Sequence, residues 1–120
     1  MDSDQLIAIY TDYLAAFNER SIDKVMSFLT PDCCFEMNGV VMTHSRDEMK
    51  ANYENHWSKI NAPVELLRVV PIEGGLWVKL RSPDDKYDVS VEYWFNGYGL
   101  QTKHVIKGVE KWEVPPEDDD

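Results

Sequence analysis

The hydrophobic rhythm of this chain changes once, and the change dictates its architecture. Up to Ile60 the apolar residues recur mostly every three or four positions, the period of a helix with one buried face. From Val64 onward they alternate, the period of a strand with one buried face. Leu6, Ile9, Tyr10, Tyr13, Leu14 and Phe17 predict a first helix over 4–18, with Ser3 as its cap. Ile22, Val25, Met26 and Leu29 predict a short second helix over 22–29, capped by Ser21. Thr30-Pro31-Asp32 should end it, because the residue before a proline is pushed out of the helical region. A strand over 33–38 follows, and Gly39 allows the turn after it. Ser45-Arg46-Asp47-Glu48 has the form of a capping box and opens a third helix reaching Ile60. Its inward stripe is Met49, Asn52, Tyr53, His56, Trp57 and Ile60. Strands over 64–72, 76–81, 87–95 and 100–113 come next, separated by Glu73-Gly74-Gly75, Ser82-Pro83-Asp84-Asp85 and the strong turn Asn96-Gly97-Tyr98-Gly99. Helices followed by antiparallel strands on short turns make an α+β fold.

At 120 residues the chain is long enough for one domain with a real core. That domain is expected over 1–114, with a solvated acidic tail over 115–120 beginning at Pro115-Pro116. A net charge of −10 argues against nucleic acid and against an anionic membrane surface, since phosphate groups call for clustered Lys and Arg. No apolar run approaches membrane-spanning length. The opening MDSDQ lacks the basic start and apolar middle of a secretory signal. Cys33 and Cys34 are adjacent, so a disulfide between them would be strained, and two reduced thiols in a cytoplasmic protein are expected. There is no Cys/His cluster with metal spacing and no glycine-rich phosphate loop, so no metal or organic cofactor is expected.

One concave sheet face and the stripes of the first and third helices should bound a cavity. If Val89, Val91, Tyr93 and Phe95 face inward, the last strand turns Thr102, His104 and Ile106 inward as well. His104 then sits among apolar neighbours, either as a proton shuttle or as a buried histidine satisfied by a backbone carbonyl. His56 lies beside Asn52 and Tyr53, either in the cavity or at the wet edge of its stripe. Phe17, Phe35, Trp57 and Tyr93 are aromatics of a kind more often found as core than as a ligand platform. His44 precedes the third helix and should be exposed. Trp77, Lys79, Glu92, Trp94, Lys103, Val105 and Lys107 take the opposite parity. An outer face with two tryptophans is unusual to leave wet, so a homodimer through Trp77 and Trp94 is expected.

The stretch Tyr10 to Gly39, YTDYLAAFNERSIDKVMSFLTPDCCFEMNG, resembles the opening of the NTF2-like superfamily, and more closely its ketosteroid-isomerase and SnoaL-like polyketide cyclase branch. The resemblance implies a cone: about three N-terminal helices packed on a strongly curved, mostly antiparallel sheet enclosing a pocket. It also implies a dimer through the outer sheet face. Laying FNGYG (Phe95–Gly99) on the isomerases' hairpin turn puts His104 and Ile106 where that family lines its pocket. Tyr13-Leu14-Ala15-Ala16-Phe17-Asn18 matches without a gap the motif whose tyrosine donates a hydrogen bond to a developing oxyanion. Tyr13 would equally serve as a core tyrosine with a bonded hydroxyl. Two departures matter. Met37 stands where the isomerases carry their general-base aspartate, and Val91 where they carry a protonated aspartate. Ketosteroid isomerisation by that mechanism is therefore not expected, and Glu36 has the wrong parity to replace the base unless a bulge intervenes.

The expected function is cofactor-free isomerisation, cyclisation or dehydration of a small apolar carbonyl or phenolic compound, polyketide- or terpenoid-like. Tyr13 would hold the oxyanion, and His104 or else His56 would move the proton. Phe17, Phe35, Met37, Asn52, Tyr53, Trp57, Val91, Tyr93 and Ile106 would bind the substrate. The alternative is a non-catalytic small-molecule binder or dimerisation module on the same scaffold, which Met37 and Val91 favour. A nuclear transport factor proper fits acidity and length, but the match stops at the first helix.

Overall fold

The computed structural model describes residues Met1–Trp112; the tail expected over 115–120 lies outside the described residues. The elements run α1 (Ser3–Asn18), α2 (Ile22–Ser27), β1 (Leu29–Met37), β2 (Val40–Thr43), α3 (Arg46–Lys59), β3 (Glu65–Ile72), β4 (Gly75–Ser82), β5 (Tyr87–Phe95) and β6 (Gln101–Lys111). The six strands form one curved, unclosed sheet in the order β2-β1-β6-β5-β4-β3. Every neighbouring pair is antiparallel except β1 with β6, which runs parallel. This is the α+β architecture the hydrophobic rhythm dictates. Among the described residues, no helix is long and apolar enough to cross a membrane.

Local physics moves several boundaries. Asp2, not Ser3, caps α1: its carboxylate accepts from the Gln5 N–H, and the Gln5 side chain accepts from the Asp2 N–H, each at 2.9 Å. Ser21 precedes α2 but makes no side-chain cap bond. That helix stops at Ser27, and the chain is already extended at Leu29, so Pro31 lies inside a strand and not in a terminating turn. The proline is tolerated because β1 pairs with β6 at Leu29 and again only from Cys34, leaving the stretch between without ladder partners. The sequence reading has no β2. It forms because Asn38 (φ 54°) and Gly39 (φ 79°) both take the left-handed conformation that a two-residue hairpin turn requires. Ser45 caps α3 by accepting from the Glu48 N–H at 3.2 Å, but the Glu48 carboxylate accepts from the His44 N–H, so the box closes one residue early.

The core lies between α1 and the concave sheet face. Tyr10, Val25, Leu29, Cys33, Met49, Leu76 and Val78 are almost wholly buried there. Two clips hold its open end. Asn18, at the end of α1, donates to the Val64 carbonyl and accepts from the Val64 N–H, each at 2.9 Å. Arg20 donates to the carbonyls of Trp57 and Ile60, tying the end of α3 to the same corner. At the far end of the sheet, Asp88 accepts two hydrogen bonds from Arg81 and one from the Trp112 indole. Those bonds hold the Asp88 carboxyl at a pKa of about 2.

A register shift separates expectation from outcome on β6. Trp94 pairs with Lys103, but Phe95 pairs with Gln101, so Thr102 is the extra residue of a bulge. The Thr102 hydroxyl donates to the Trp94 carbonyl, and Gln101, not Thr102, is the residue buried inside. His104 and Ile106 keep the inward parity expected of them.

Candidate functional site

α1, α3 and the concave face of the sheet enclose a cavity of about 150 Å³. Tyr13 and Phe17 reach it from α1, Phe35 from β1, and Asn52, Tyr53 and His56 from α3. Val91 and Tyr93 line it from β5, and His104 and Ile106 from β6. Leu14, Met49, Val64, Leu80, Ser82, Tyr87 and Val89 complete the wall. Tyr87 and Ser82 went unmarked in the sequence because they close the far end of a strand pair, where inward parity alone does not say which residues reach the cavity. Among the described residues, no acidic side chain lines it. Among the described residues, no group of three or more His, Cys, Asp or Glu could hold a metal ion. The space opens past Asn52, His56 and Tyr87 into a mouth of about 390 Å³ that also touches Asn55, Lys59 and Asp85.

Two of the expected ligand contacts lie elsewhere. Met37 sits past a register shift between Phe35 and Glu36, and Phe35 is the last β1 residue to reach the cavity. Glu36 beside it turns to the opposite face, where Lys103 pairs with it at 3.5 Å. Trp57 packs its ring on Phe17 and Tyr53 and faces a second small cavity at the α1–α3 corner.

The polar centre of the site is a pair of phenols. The Tyr13 and Tyr53 hydroxyls lie 2.6 Å apart and are buried. Burial pushes both pKa values well above that of an ordinary tyrosine, and neighbouring phenols add to the push. Tyr93 is driven up to about 12 by burial, and Tyr10 is also raised. All four phenols therefore stay protonated near neutrality. Either hydroxyl can be the donor of the bond between them. Whichever donates, the hydroxyl that accepts keeps its own O–H for the cavity that both residues line. A donor polarised from behind is a stronger donor.

The two histidines differ in kind. His104 is 4% exposed, its ring edge-on to Tyr93 at 4.5 Å, and its Nε2 lies 2.6 Å from Gln101 Oε1. Its partner is thus a side chain and not a backbone carbonyl. Burial lowers its pKa to about 3, so it is a neutral group and a poor proton acceptor. His56 is half-buried, stacks near Phe17, and touches both the cavity and its mouth. Its pKa is lowered chiefly by burial; Asp85 opposes this shift and Arg20 adds to it. It is neutral at pH 7, has access to solvent, and can take and return a proton. Both histidines expected at the cavity thus line it, His56 at the rim with access to solvent and His104 sealed inside against Gln101.

No family model matches the sequence, and no curated protein matches it. Solved structures do. A SnoaL-like protein of unknown function from Burkholderia thailandensis superposes with a TM-score of 0.78 at 10% identity, over 88% of this chain and 96% of that one. SalBIII, an epoxide hydrolase/cyclase-like enzyme of pyran ring formation in the polyether salinomycin, gives 0.76 at 12%, over 92% and 98%. A protein named as a ketosteroid isomerase, from Kribbella flavida, gives 0.73 at 18%, over 98% and 87%. At these identities the likeness is one of fold: the chain shares the fold of a SnoaL-like protein and of a protein named as a ketosteroid isomerase, as the resemblance in its sequence implied.

Proposed function

We propose that this protein catalyses cofactor-free proton transfer on a small single-ring carbonyl or phenolic compound. The observation that carries this reading is the Tyr13–Tyr53 hydroxyl pair in an apolar cavity with His56 at its rim. His56 removes a proton from the carbon next to a carbonyl. The C–H electron pair becomes the enol double bond, and the carbonyl oxygen takes the negative charge. The Tyr53 O–H, backed by Tyr13, donates to that oxygen in a site from which water is largely excluded. Protonated His56 then returns the proton to another carbon, completing an isomerisation, or to a departing hydroxyl, completing a dehydration. A cavity of about 150 Å³ limits the buried part of the ligand to one ring, since a space of this order holds a benzene. A fused-ring steroid would not fit, whereas a ring of a polyketide- or terpenoid-like compound would, with any polar substituent in the mouth.

The second reading, a non-catalytic binder, is favoured by Val91 in the wall and by the lack of a cavity carboxylate among the described residues. Cyclohexanone in D2O separates the two. The protein should speed deuterium incorporation beside the carbonyl well above the buffer rate, followed by NMR, and His56→Gln should return it to background. Binding of the ketone without excess incorporation leaves the binder.

The same reading includes a dimer through the outer sheet face. Trp77 and Trp94 remain partly exposed there, with Arg68 covering one indole at 6.0 Å. Sedimentation at micromolar concentration should give about twice the chain mass, and Trp77→Lys with Trp94→Lys should halve it. A wild-type monomer leaves the face without that role.

A further inference from the structure

Gln101 is 0% exposed, an unusual place for an amide. Its backbone is fixed on both sides: its N–H donates to the Phe28 carbonyl at 2.8 Å, and its carbonyl accepts from the Thr30 hydroxyl at 3.3 Å. Neither bond needs the side chain. The side-chain NH2 has no partner among the described residues. A leucine would fill the place without an orphaned donor, so the amide is a cost to the fold that only its bond to His104 offsets. The β6 bulge at Thr102 is what sets both residues inward, three positions apart.

We infer that Gln101 is a positioning residue that holds His104 as the Nε2–H tautomer, so that Nδ1 offers a lone pair and the cavity selects rings bearing a hydroxyl group. This rests on reading the cavity as the ligand site. A neutral imidazole has one N–H and one lone pair. Burial keeps His104 neutral down to about pH 3, so the lone pair persists across the physiological range. With Gln101 Oε1 accepting from Nε2, Nδ1 is the nitrogen left for a ligand. The cavity then combines a donor, the tyrosine pair, with an acceptor, His104. A ketone satisfies only the first. A phenol, cyclic enol or hydroxy-ketone satisfies both, because its O–H reaches Nδ1 while an oxygen lone pair accepts from a tyrosine. Leaving a buried acceptor unpaired is what discriminates against the ring that lacks the hydroxyl.

Phenol and toluene have nearly one shape and differ in the hydroxyl, so their binding to the full chain, titrated by NMR, reads the selection. Phenol should bind about tenfold more tightly, the scale of one or two net hydrogen bonds, and His104→Phe should shrink that ratio several-fold. An unchanged ratio in a folded His104→Phe overturns the proposal. Nitrogen-15 spectra of histidine-labelled protein give a readout independent of that variant. His104 should show a protonated Nε2 and an unprotonated Nδ1, and Gln101→Leu should shift it toward a tautomer mixture. A protonated Nδ1 in the unaltered chain, or a tautomer indifferent to Gln101→Leu, overturns it equally. Both readouts concern binding and tautomer, so they can fail while the deuterium exchange succeeds, and the reverse.

Discussion

Tyr53→Phe is expected to lower the rate of ketone deuteration by on the order of a hundredfold, the scale of losing one oxyanion donor in a dry site. The ring stays and only the hydroxyl leaves, so packing against Phe17 and Trp57 is kept. Tyr13→Phe should cost less, because Tyr53 retains its own O–H and loses only the polarising bond at 2.6 Å. The double variant should be little worse than Tyr53→Phe alone, since the two hydroxyls act as one unit. Rates of deuterium incorporation for the four proteins, with ketone affinity measured alongside, check this order. Additive losses would mean two independent donors. Equal rates for all four, with each single variant losing roughly 1 kcal/mol of stability, would make the pair a structural hydrogen bond.

Mild acid should unfold this protein more readily than neutral buffer, and His104 should be the main cause. Its folded pKa of about 3 lies below the ordinary 6.5. Between those values the unfolded chain binds a proton that the folded chain refuses. The stabilisation is therefore complete above about pH 6.5 and is lost as pH falls toward 3. At about 1.4 kcal/mol per pH unit, the drop from pH 7 to pH 5 comes to about 2 kcal/mol. The lowered pKa of His56 acts in the same direction and adds to it. Asp88, held at about 2 against the usual 3.8, contributes only further down, as pH falls below about 4. Urea midpoints at pH 7 and pH 5 measure the loss. His104→Gln, which cannot titrate and can still bond Gln101, should remove most of it; an unchanged slope would place the acid sensitivity elsewhere.

The sequence carried the architecture because the architecture depends on period. Helical spacing in Leu6, Tyr10, Tyr13 and Leu14, and alternation through Leu76, Val78 and Leu80, are set residue by residue, and the buried faces follow them. Parity also predicted correctly that His104 and Ile106 face inward. It failed at Thr102, because a bulge adds one residue without leaving a pattern in the hydrophobicity, and it hid the neighbour that matters most, Gln101. The missed β2 was legible: Asn38-Gly39 is a hairpin signal, but Val40–Thr43 is too short to show a period of its own. Pro31 inside β1 was not legible, since only the gap in its partners makes room for it.

The candidate site divides the same way. Sequence alone determined which side chains could converge: Tyr13, Asn52, Tyr53, His56 and His104 each sit on an inward stripe. Only the tertiary structure decided what each became. Tyr13 and Tyr53 are 40 residues apart, and no local pattern says that their hydroxyls meet. The two histidines are alike in sequence, yet one is sealed beneath Tyr93 against Gln101 and the other lies at the cavity's rim. Hydrogen-bond partners and pKa values belong to the environment and not to the residue, and that environment is assembled from α1, α3, β5 and β6 only when the chain closes.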